Sequence, residues 1–257
     1  MMVGVAGSEN GLEASESQWG AAVEALRRGE CVAVLDGEDR EGETDLFFPA
    51  ASLSPASLRF LRTQAGGELY ISVGHEVASA FGLPYIGHVL GQSDVTAKFP
   101  VFEHMGKAGG EMCQGSCSVG LSLDHRNTKT GAPDVERSFT CRRLAELFEE
   151  VRDNGTELAR AAELLGAEFH TPGHIFLCVE NPKGLTVRTG HTELSVALAK
   201  AAGVTPVMVG CVMLSNEGED FGALRPAAAR TWAAQHDIPF LTGSSIIKSV
   251  LGTPIPS

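Results

Sequence analysis

Residues 31–45 read CVAVLDGEDREGETD, an apolar run followed directly by a dense acidic segment. A run of β-forming residues that stops at Asp36-Gly37 is typical of a buried strand ending in a loop. Six carboxylates and one arginine then lie between Asp36 and Asp45, a segment called the acidic loop below. Carboxylates this close repel one another, so a divalent cation with oxygen ligands is one candidate for compensating their charge. A solvated charged loop is the alternative.

A second motif, Arg188-Thr189-Gly190-His191-Thr192-Glu193, begins a predicted helix with an apolar face and a stop at Gly203. His191 can ligate a metal through its neutral imidazole. Thr192 and the free amides of the helix start can hold a phosphate, helped by the helix dipole and by Arg188. The alternative is that Thr192 is an ordinary N-cap and His191 has no special role.

A third motif lies between these two. Thr171-Pro172-Gly173-His174 is predicted to form a tight turn just before the strand Ile175–Val179. A single histidine in such a turn is more often structural than catalytic. The presence of all three motifs in one chain favours a shared functional site.

The three motifs together resemble those of the 3,4-dihydroxy-2-butanone 4-phosphate synthases of riboflavin biosynthesis. The patterns are Asp-x-Glu-Asp-Arg-Glu-x-Glu-x-Asp, Pro-Gly-His and Arg-x-Gly-His-Thr-Glu. The similarity runs from Trp19 to Ile247 and so covers most of the chain. Residues 124–131 and 139–147 are most similar to archaeal-type members.

The composition and the order of the elements predict a single α/β domain. The chain has 257 residues, 43% of them hydrophobic, and predicted helices alternate with strands without a break in composition. We expect a flexible tail over residues 1–16, a first helix at Ser17–Arg28, and one catalytic domain over residues 17–257. Residues 84–115 are predicted to form a long functional loop. The resemblance implies the mixed-sheet α/β fold of the synthase family.

Charge and hydropathy exclude several kinds of partner. A net charge of −12 argues against a nucleic-acid surface, which needs a basic stripe. No apolar run approaches the roughly 20 residues of a membrane span, and residues 1–17 lack the pattern of a signal peptide. Six scattered cysteines, including the Cys113/Cys117 pair, give only a weak metal-site signal. These features favour a reduced, cytoplasmic protein.

The resemblance also implies a reaction and assigns roles to residues. Family members convert ribulose 5-phosphate, a small sugar phosphate, into 3,4-dihydroxy-2-butanone 4-phosphate and formate, using Mg²⁺ or Mn²⁺. They are homodimers with active sites at the subunit interface, which residues 84–115 could reach. The metal ligands would be Glu41 and His191, and the general acid/base would be His174. The expected substrate-binding residues are Arg40, Asp45, Thr128, Thr130, Arg188 and Thr192, with Gly131 beside them. Asp36, Glu38 and Glu43 complete the acidic loop, and Asp36, Glu41 and Glu43 are catalytic candidates.

Two positions depart from the family pattern. The family's catalytic glutamate corresponds to Val212 here, and a family cysteine corresponds to Tyr70. A milder change places Glu136-Arg137 where the family has Asp-Arg. Three functions follow: the family reaction with Glu43 or Glu217 as a substitute carboxylate, a paralogue with altered or shortened chemistry, or a non-catalytic sugar-phosphate-binding protein. The retained Glu41, His174 and His191 weigh against the third.

Overall fold

The computed structural model describes residues 9–37, 40–105, 119–216 and 221–252. Seven strands form one sheet in this part of the chain. Their bounds are β1 Val32–Leu35, β2 Thr44–Pro49, β3 Gly66–Val73, β4 Val119–His125, β5 Phe169–Val179, β6 Val207–Met213 and β7 Phe240–Thr242. The described α-helices are α1 Glu9–Arg27, α2 Pro55–Gln64, α3 His75–Phe81, α4 Ile86–Leu90, α5 Ser93–Lys98, α6 Val101–Met105, α7 Asp134–Asp153, α8 Leu158–Glu168, α9 His191–Ala202, α10 Pro226–Gln235 and α11 Gly243–Leu251.

The sheet is mixed, with the strand order β4-β5-β3-β6-β2-β1-β7. Strands β3 and β5 run parallel, as do β1 and β7, and the other neighbouring pairs are antiparallel. The predicted α/β fold with a mixed sheet is confirmed.

Both faces of the sheet are covered by helices. On one face Leu58 of α2 and Leu144 of α7 pack in the same cluster as Ile71 of β3. On the other face Leu26 of α1 and Leu198 of α9 pack in the same cluster as other strand residues. A strand buried on both sides has no polar face, which explains why residues 31–35 read as a continuous apolar run rather than an alternating one.

Helix α9 is the predicted helix of the Arg-x-Gly-His-Thr-Glu motif, and its existence and its end at Gly203 are confirmed. Gly203 adopts a φ of 70°, the left-handed conformation that commonly ends a helix. The N-cap, however, is Gly190, and His191 is the first helical residue. The alternative in which Thr192 is a simple N-cap is therefore wrong.

Three local predictions need correction. Helix α1 begins at Glu9 instead of Ser17, because its polar first half is made of adequate helix formers that resemble a linker in composition. Residues 86–105 form the short helices α4, α5 and α6 rather than a loop, and helices of this length are too short to show a full amphipathic period. His174 lies within β5, not in a turn before it. The predictions of a flexible tail and of the domain bounds fall partly on residues outside the described ranges. Residues 106–118, with Cys113 and Cys117, lie outside them entirely.

None of the helices that the structure describes combines the length and the apolar character needed to cross a bilayer. Three of the described cysteines, Cys31, Cys141 and Cys211, are buried free thiols. Burial raises the pKa of the Cys211 thiol to about 11, so this group stays protonated near neutral pH.

Candidate functional site

The candidate site lies on the face of the sheet that α9 covers. Asp45 of β2 is directly opposite Val212 of β6, and Tyr70 of β3 is opposite Gly210, two residues before Val212. Side chains two apart on a strand share a face, so Asp45, Tyr70 and Val212 all project toward α9. His191, the first residue of α9, lies above them with its Nε2 3.7 Å from Asp45 Oδ1.

The acidic loop is folded around the carboxylate of Asp36. Its Oδ1 accepts hydrogen bonds from the backbone N–H of Gly37 (2.7 Å) and Glu43 (3.1 Å). Its Oδ2 accepts from the backbone N–H of Glu41 (3.2 Å) and from Arg40 Nη1 (2.6 Å). A carboxylate has about four acceptor positions, and all are used here. Asp36 therefore holds the loop in shape, and it is buried at the base of the site.

The two glutamates of the loop have opposite electrostatic environments. Glu41 contacts His191 Nδ1 at 3.8 Å and Arg40 Nη2 at 2.8 Å. The contact with His191, followed by the Arg40 charge, lowers the pKa of Glu41 to about 2. Burial and the nearby Asp45 and Glu41 carboxylates raise the pKa of Glu43 above its ordinary value. The loop thus offers one firmly ionised carboxylate and one that gains a proton more readily. Glu38 lies outside the described residues.

His191 is the positive centre among these acids. Burial lowers its pKa, but the charge of Asp45 and the contact with Glu41 outweigh burial and raise it to about 9. Its Nε2 donates to the backbone carbonyl of Glu43 at 3.2 Å. Asp45 is 2% exposed; its Oδ2 accepts a 2.5 Å hydrogen bond from the Tyr70 hydroxyl. Its Oδ1 has no hydrogen-bond partner among the described residues.

These residues fit a divalent cation. Ligand atoms of Asp36, Glu41 and His191 lie within 4.8 Å of one another. Asp36 is saturated by its four donors, which leaves Glu41 and His191 as the ligands that can face an ion. His191 would give up its proton when the ion binds, because only a neutral imidazole is a metal ligand. The buried Asp45 Oδ1 lies 3.7 Å from His191 Nε2 but has no hydrogen-bond donor among the described residues, so it is an acceptor that can still receive one. One imidazole nitrogen with carboxylate oxygens suits Mg²⁺ or Mn²⁺.

The start of α9 carries a guanidinium group. Arg188 forms an ion pair with Glu193, whose other oxygen accepts the backbone N–H of Asn181 at 3.0 Å. A Cβ at position 190 would lie 2.5 Å from Arg188 Nη1, so a glycine there lets the arginine cross the helix start. Thr192 is buried in the first turn. A helix N-terminus with an arginine lying across it is suited to an anion such as phosphate.

His174 is paired with a carboxylate that the sequence did not single out. His174 Nδ1 lies 2.6 Å from Asp124 Oδ2, and the backbone N–H of His174 donates to Asp124 Oδ1 at 3.0 Å. The consecutive residues Leu123 and Asp124 pair with Ile175 and His170, so residues 171–174 bulge out of β5 opposite Asp124. Asp124 belongs to a segment that resembles the family, but only this irregular register brings it to His174.

The Thr128–Gly131 loop beside His174 is held from within. Thr128 Oγ1 donates to the carbonyl of His125 at 2.7 Å. The backbone N–H groups of Thr130 (2.9 Å) and Gly131 (2.7 Å) donate to Glu136 Oε2. Glu136 therefore holds the loop. The hydroxyl groups of Thr128 and Thr130 are engaged in contacts within this region.

The predicted residues thus form two groups. Arg40, Glu41, Glu43, Asp45 and His191 surround the start of α9, where Arg188 and Thr192 also lie. His174 and the Thr128–Gly131 loop lie on β4 and β5. Strand β3 separates the groups, and its Tyr70 is opposite Phe176 of β5 and Gly210 of β6.

Comparison with known proteins identifies close relatives. The family model described as 3,4-dihydroxy-2-butanone 4-phosphate synthase matches residues 20–249. The chain is 34% identical over 241 residues to the protein of that name from Methanosarcina mazei, covering 93% of this chain and 94% of the relative. It is 34% identical to the Archaeoglobus fulgidus protein of the same name, covering 88% and 91%.

Solved structures show the same fold. A cation-free 3,4-dihydroxy-2-butanone 4-phosphate synthase superposes with a TM-score of 0.69 at 23% identity, covering 91% of this chain and 97% of the other. A structure of such a synthase in complex with two magnesium ions gives 0.68 at 24% identity, covering 90% and 95%. The resemblance predicted from the motifs is confirmed, and the chain belongs to the 3,4-dihydroxy-2-butanone 4-phosphate synthase family of lyases.

Proposed function

We propose that this chain binds ribulose 5-phosphate with a divalent cation and converts it to 3,4-dihydroxy-2-butanone 4-phosphate and formate. The observation that carries the proposal is the position of His191. It is both the first residue of α9, beside Arg188, and the partner of Glu41 and Asp45. A cation held by these side chains would therefore lie next to an anion at the helix start.

Glu41 and His191 would hold the ion, either Mg²⁺ or Mn²⁺. A bound divalent cation supplies electrostatic stabilisation for charge that develops on neighbouring substrate oxygens. Arg40 keeps Glu41 oriented and ionised through its 2.8 Å contact. Asp45, with one unpartnered oxygen, faces the same space and would accept a hydrogen bond from a substrate hydroxyl.

The proton-handling groups come from the two sides of the site. His174 would act as general acid/base, and its side chain is half exposed, so a substrate can reach it. Glu43 is suited to a second proton transfer because burial and its acidic neighbours raise its pKa toward neutrality. Asp36 would contribute by keeping Arg40, Glu41 and Glu43 in place. Thr128 and Thr130 would border the substrate through their loop.

A second candidate function is a shortened reaction on a similar sugar phosphate. The observation that favours it is the wall formed by Val212 and Tyr70 around Asp45. Val212 lies directly opposite Asp45, and the Tyr70 hydroxyl donates a hydrogen bond to the same carboxylate. A valine cannot transfer a proton. A site with this wall would enolise or dehydrate the substrate but lack a group for later proton transfers.

Metal binding provides the first test. We expect Glu41→Gln and His191→Ala each to weaken Mg²⁺ and Mn²⁺ binding by about 100-fold or more, since even loss of a supporting contact costs about 10–100-fold. Activity should be lost while the circular dichroism spectrum is retained. Glu163→Gln, at an exposed glutamate of α8, is the matched control and should bind the ions normally. Calorimetric binding that survives both site substitutions would contradict the assignment.

Phosphate recognition is tested with paired ligands. Arg188 and the α9 start should make ribulose 5-phosphate bind at least about tenfold more tightly than ribulose, since a charge-assisted hydrogen bond contributes about 1.5–3 kcal/mol. Removing Arg188 alone would leave the buried Glu193 carboxylate unpaired. The double substitution Arg188→Gln with Glu193→Gln avoids this and should abolish the preference. Equal binding of the two sugars by the unmodified chain, measured by calorimetry, would show that the phosphate site is misplaced.

A homodimer is part of the proposal and is inferred from the family resemblance. Phe99 and Val101, in the segment expected to reach a partner, are 49% and 53% exposed. Burying such apolar side chains against a second copy is favourable. We therefore expect a dimer by multi-angle light scattering at micromolar concentration, and a monomer under these conditions would contradict this part of the proposal.

Formate release decides between the two reactions. Ribulose 5-phosphate and Mg²⁺ are incubated with the protein, and both formate and exchange of the substrate's C3 proton with solvent are measured. The complete reaction releases formate at an enzymatic rate, whereas the shortened reaction gives exchange without formate. Tight binding without either signal would favour a binding protein.

If the chain performs only the shortened reaction, restoring the family side chains should restore formate release. Val212→Glu combined with Tyr70→Cys should then release formate, because a positioned acid/base contributes a factor of about 10²–10⁴. Val250→Glu, at a 41% exposed valine of α11, adds the same charge away from the site and should change nothing. A double variant that folds, exchanges the C3 proton and still yields no formate would overturn the role assigned to Val212.

A further inference from the structure

We infer that Asp124 is the positioning residue for His174, fixing which ring nitrogen exchanges a proton with substrate, and that Gly131 holds the two side chains together. The inference rests on the proposed role of His174 as acid/base. It concerns a residue that lies on a different strand from His174 and outside the three motifs of the site.

Asp124 contacts both the backbone and the ring of His174. It is 3% exposed; Oδ1 accepts the backbone N–H of His174 at 3.0 Å, and Oδ2 lies 2.6 Å from Nδ1. The backbone bond fixes where the residue leaves the bulge of β5, and the ring contact fixes the rotation of the imidazole. Two contacts from one buried carboxylate leave the ring little freedom.

The chemistry of a carboxylate determines the tautomer. An ionised carboxylate only accepts hydrogen bonds, so the proton between the two groups belongs to Nδ1. In the neutral imidazole, Nε2 is then the nitrogen that accepts a proton. The His174 side chain is 53% exposed, and no described residue hydrogen-bonds to Nε2. The atom that would exchange a proton is therefore the one that a substrate can reach.

His125, on the neighbouring strand, shows the contrast with a structural histidine. It is buried, its Nδ1 accepts the backbone N–H of Asn127 at 3.0 Å, and its Nε2 lies 3.4 Å from Glu168. Both of its nitrogens are engaged within the fold. His174 has one engaged nitrogen and one reachable nitrogen, which is the arrangement required for directed proton transfer.

Gly131 packs directly against the Asp124–His174 pair. Its φ is 78°, and a Cβ at this position would lie 2.3 Å from Asp124 Oδ2 and 2.6 Å from His174 Nδ1. Any side chain would be wedged between the carboxylate and the ring. The glycine is therefore needed for the contact, and the Glu136 bond to its backbone N–H keeps the loop in this position.

The direct test is Asp124→Asn, which has nearly the same shape but can donate a hydrogen bond through its amide. We expect the proton of neutral His174 to move from Nδ1 to Nε2, observed by ¹⁵N NMR of the histidine-labelled protein. We expect kcat to fall by about 10² or more with KM changed less than threefold, because the corresponding change in a Ser-His-Asp triad costs about 10⁴ through the wrong tautomer. Ser122→Ala is the matched control: Ser122 Oγ accepts the backbone N–H of Gly173 at 3.1 Å and so supports the same bulge. It should leave the tautomer unchanged and kcat within tenfold.

A second variant keeps both side chains and separates them. Gly131→Ala should lower kcat to a similar degree and release the Nδ1 proton to exchange. Gly155→Ala places alanine at a φ of 57° with open space around it, so it reproduces the backbone strain without the wedge. Gly155→Ala should match the loss of thermal stability and retain kcat.

The outcomes separate this inference from the proposed function. If His174→Ala abolishes turnover but Asp124→Asn keeps both the tautomer and kcat, the positioning role is wrong and the proposed function stands. If His174→Ala leaves turnover intact, the role of His174 in the proposed function is wrong, and the positioning inference falls with it. A tautomer change in Asp124→Asn with a loss of kcat of about 10² or more, together with loss of turnover in His174→Ala, supports both.

Discussion

The site depends on one buried contact between opposite charges, that of His191 with Asp45 and Glu41. Asp45 lies in the interior of the sheet, and an ionised carboxylate there requires a positive neighbour. His191 supplies that charge from the first turn of α9, with its pKa raised to about 9 by the carboxylates against the effect of burial. The same contact joins the helix start to the end of β2. The position of Arg188 and of the exposed backbone N–H groups relative to the acidic loop follows from it.

The carboxylates of the acidic loop differ in role: one supports the loop, and others face the site. Six carboxylates lie in this short segment of sequence. Asp36 receives four hydrogen-bond donors and forms the scaffold, and Asp45 belongs to strand β2 rather than to the loop. Glu41 and Glu43 remain directed to the site with pKa values shifted in opposite directions. A loop with its own internal support can present a charged ligand without relying on the ion for its shape.

Tyr70 and Val212 form a wall around Asp45. The Tyr70 hydroxyl occupies one oxygen of Asp45, and Val212 presents an apolar side chain across the strand pair. The tyrosine ring fits because Gly210 lies opposite it: a Cβ there would be 2.9 Å from the tyrosine Cζ. A bulky phenol and a small glycine thus fill the space together.

The sequence by itself determined the fold class, the family and the three motifs, because short local segments carry their signals. These segments are an apolar run before Asp36, a helix that starts at His191, and a histidine after Pro172-Gly173. It also predicted Val212 and Tyr70 as departures from the family pattern, which stays a prediction. It did not give Asp124 a role or show that Asp36 is the scaffold of the acidic loop, and it mistook residues 86–105 for a loop. The role of Asp124 depends on strand register, and the role of Asp36 depends on the number of donors around its carboxylate. The helices within residues 86–105 are too short to show a periodic pattern of apolar residues. Asp124 meets His174 across 50 residues only because β5 bulges opposite β4, and such a contact is fixed by the packing of the whole sheet, not by any local pattern.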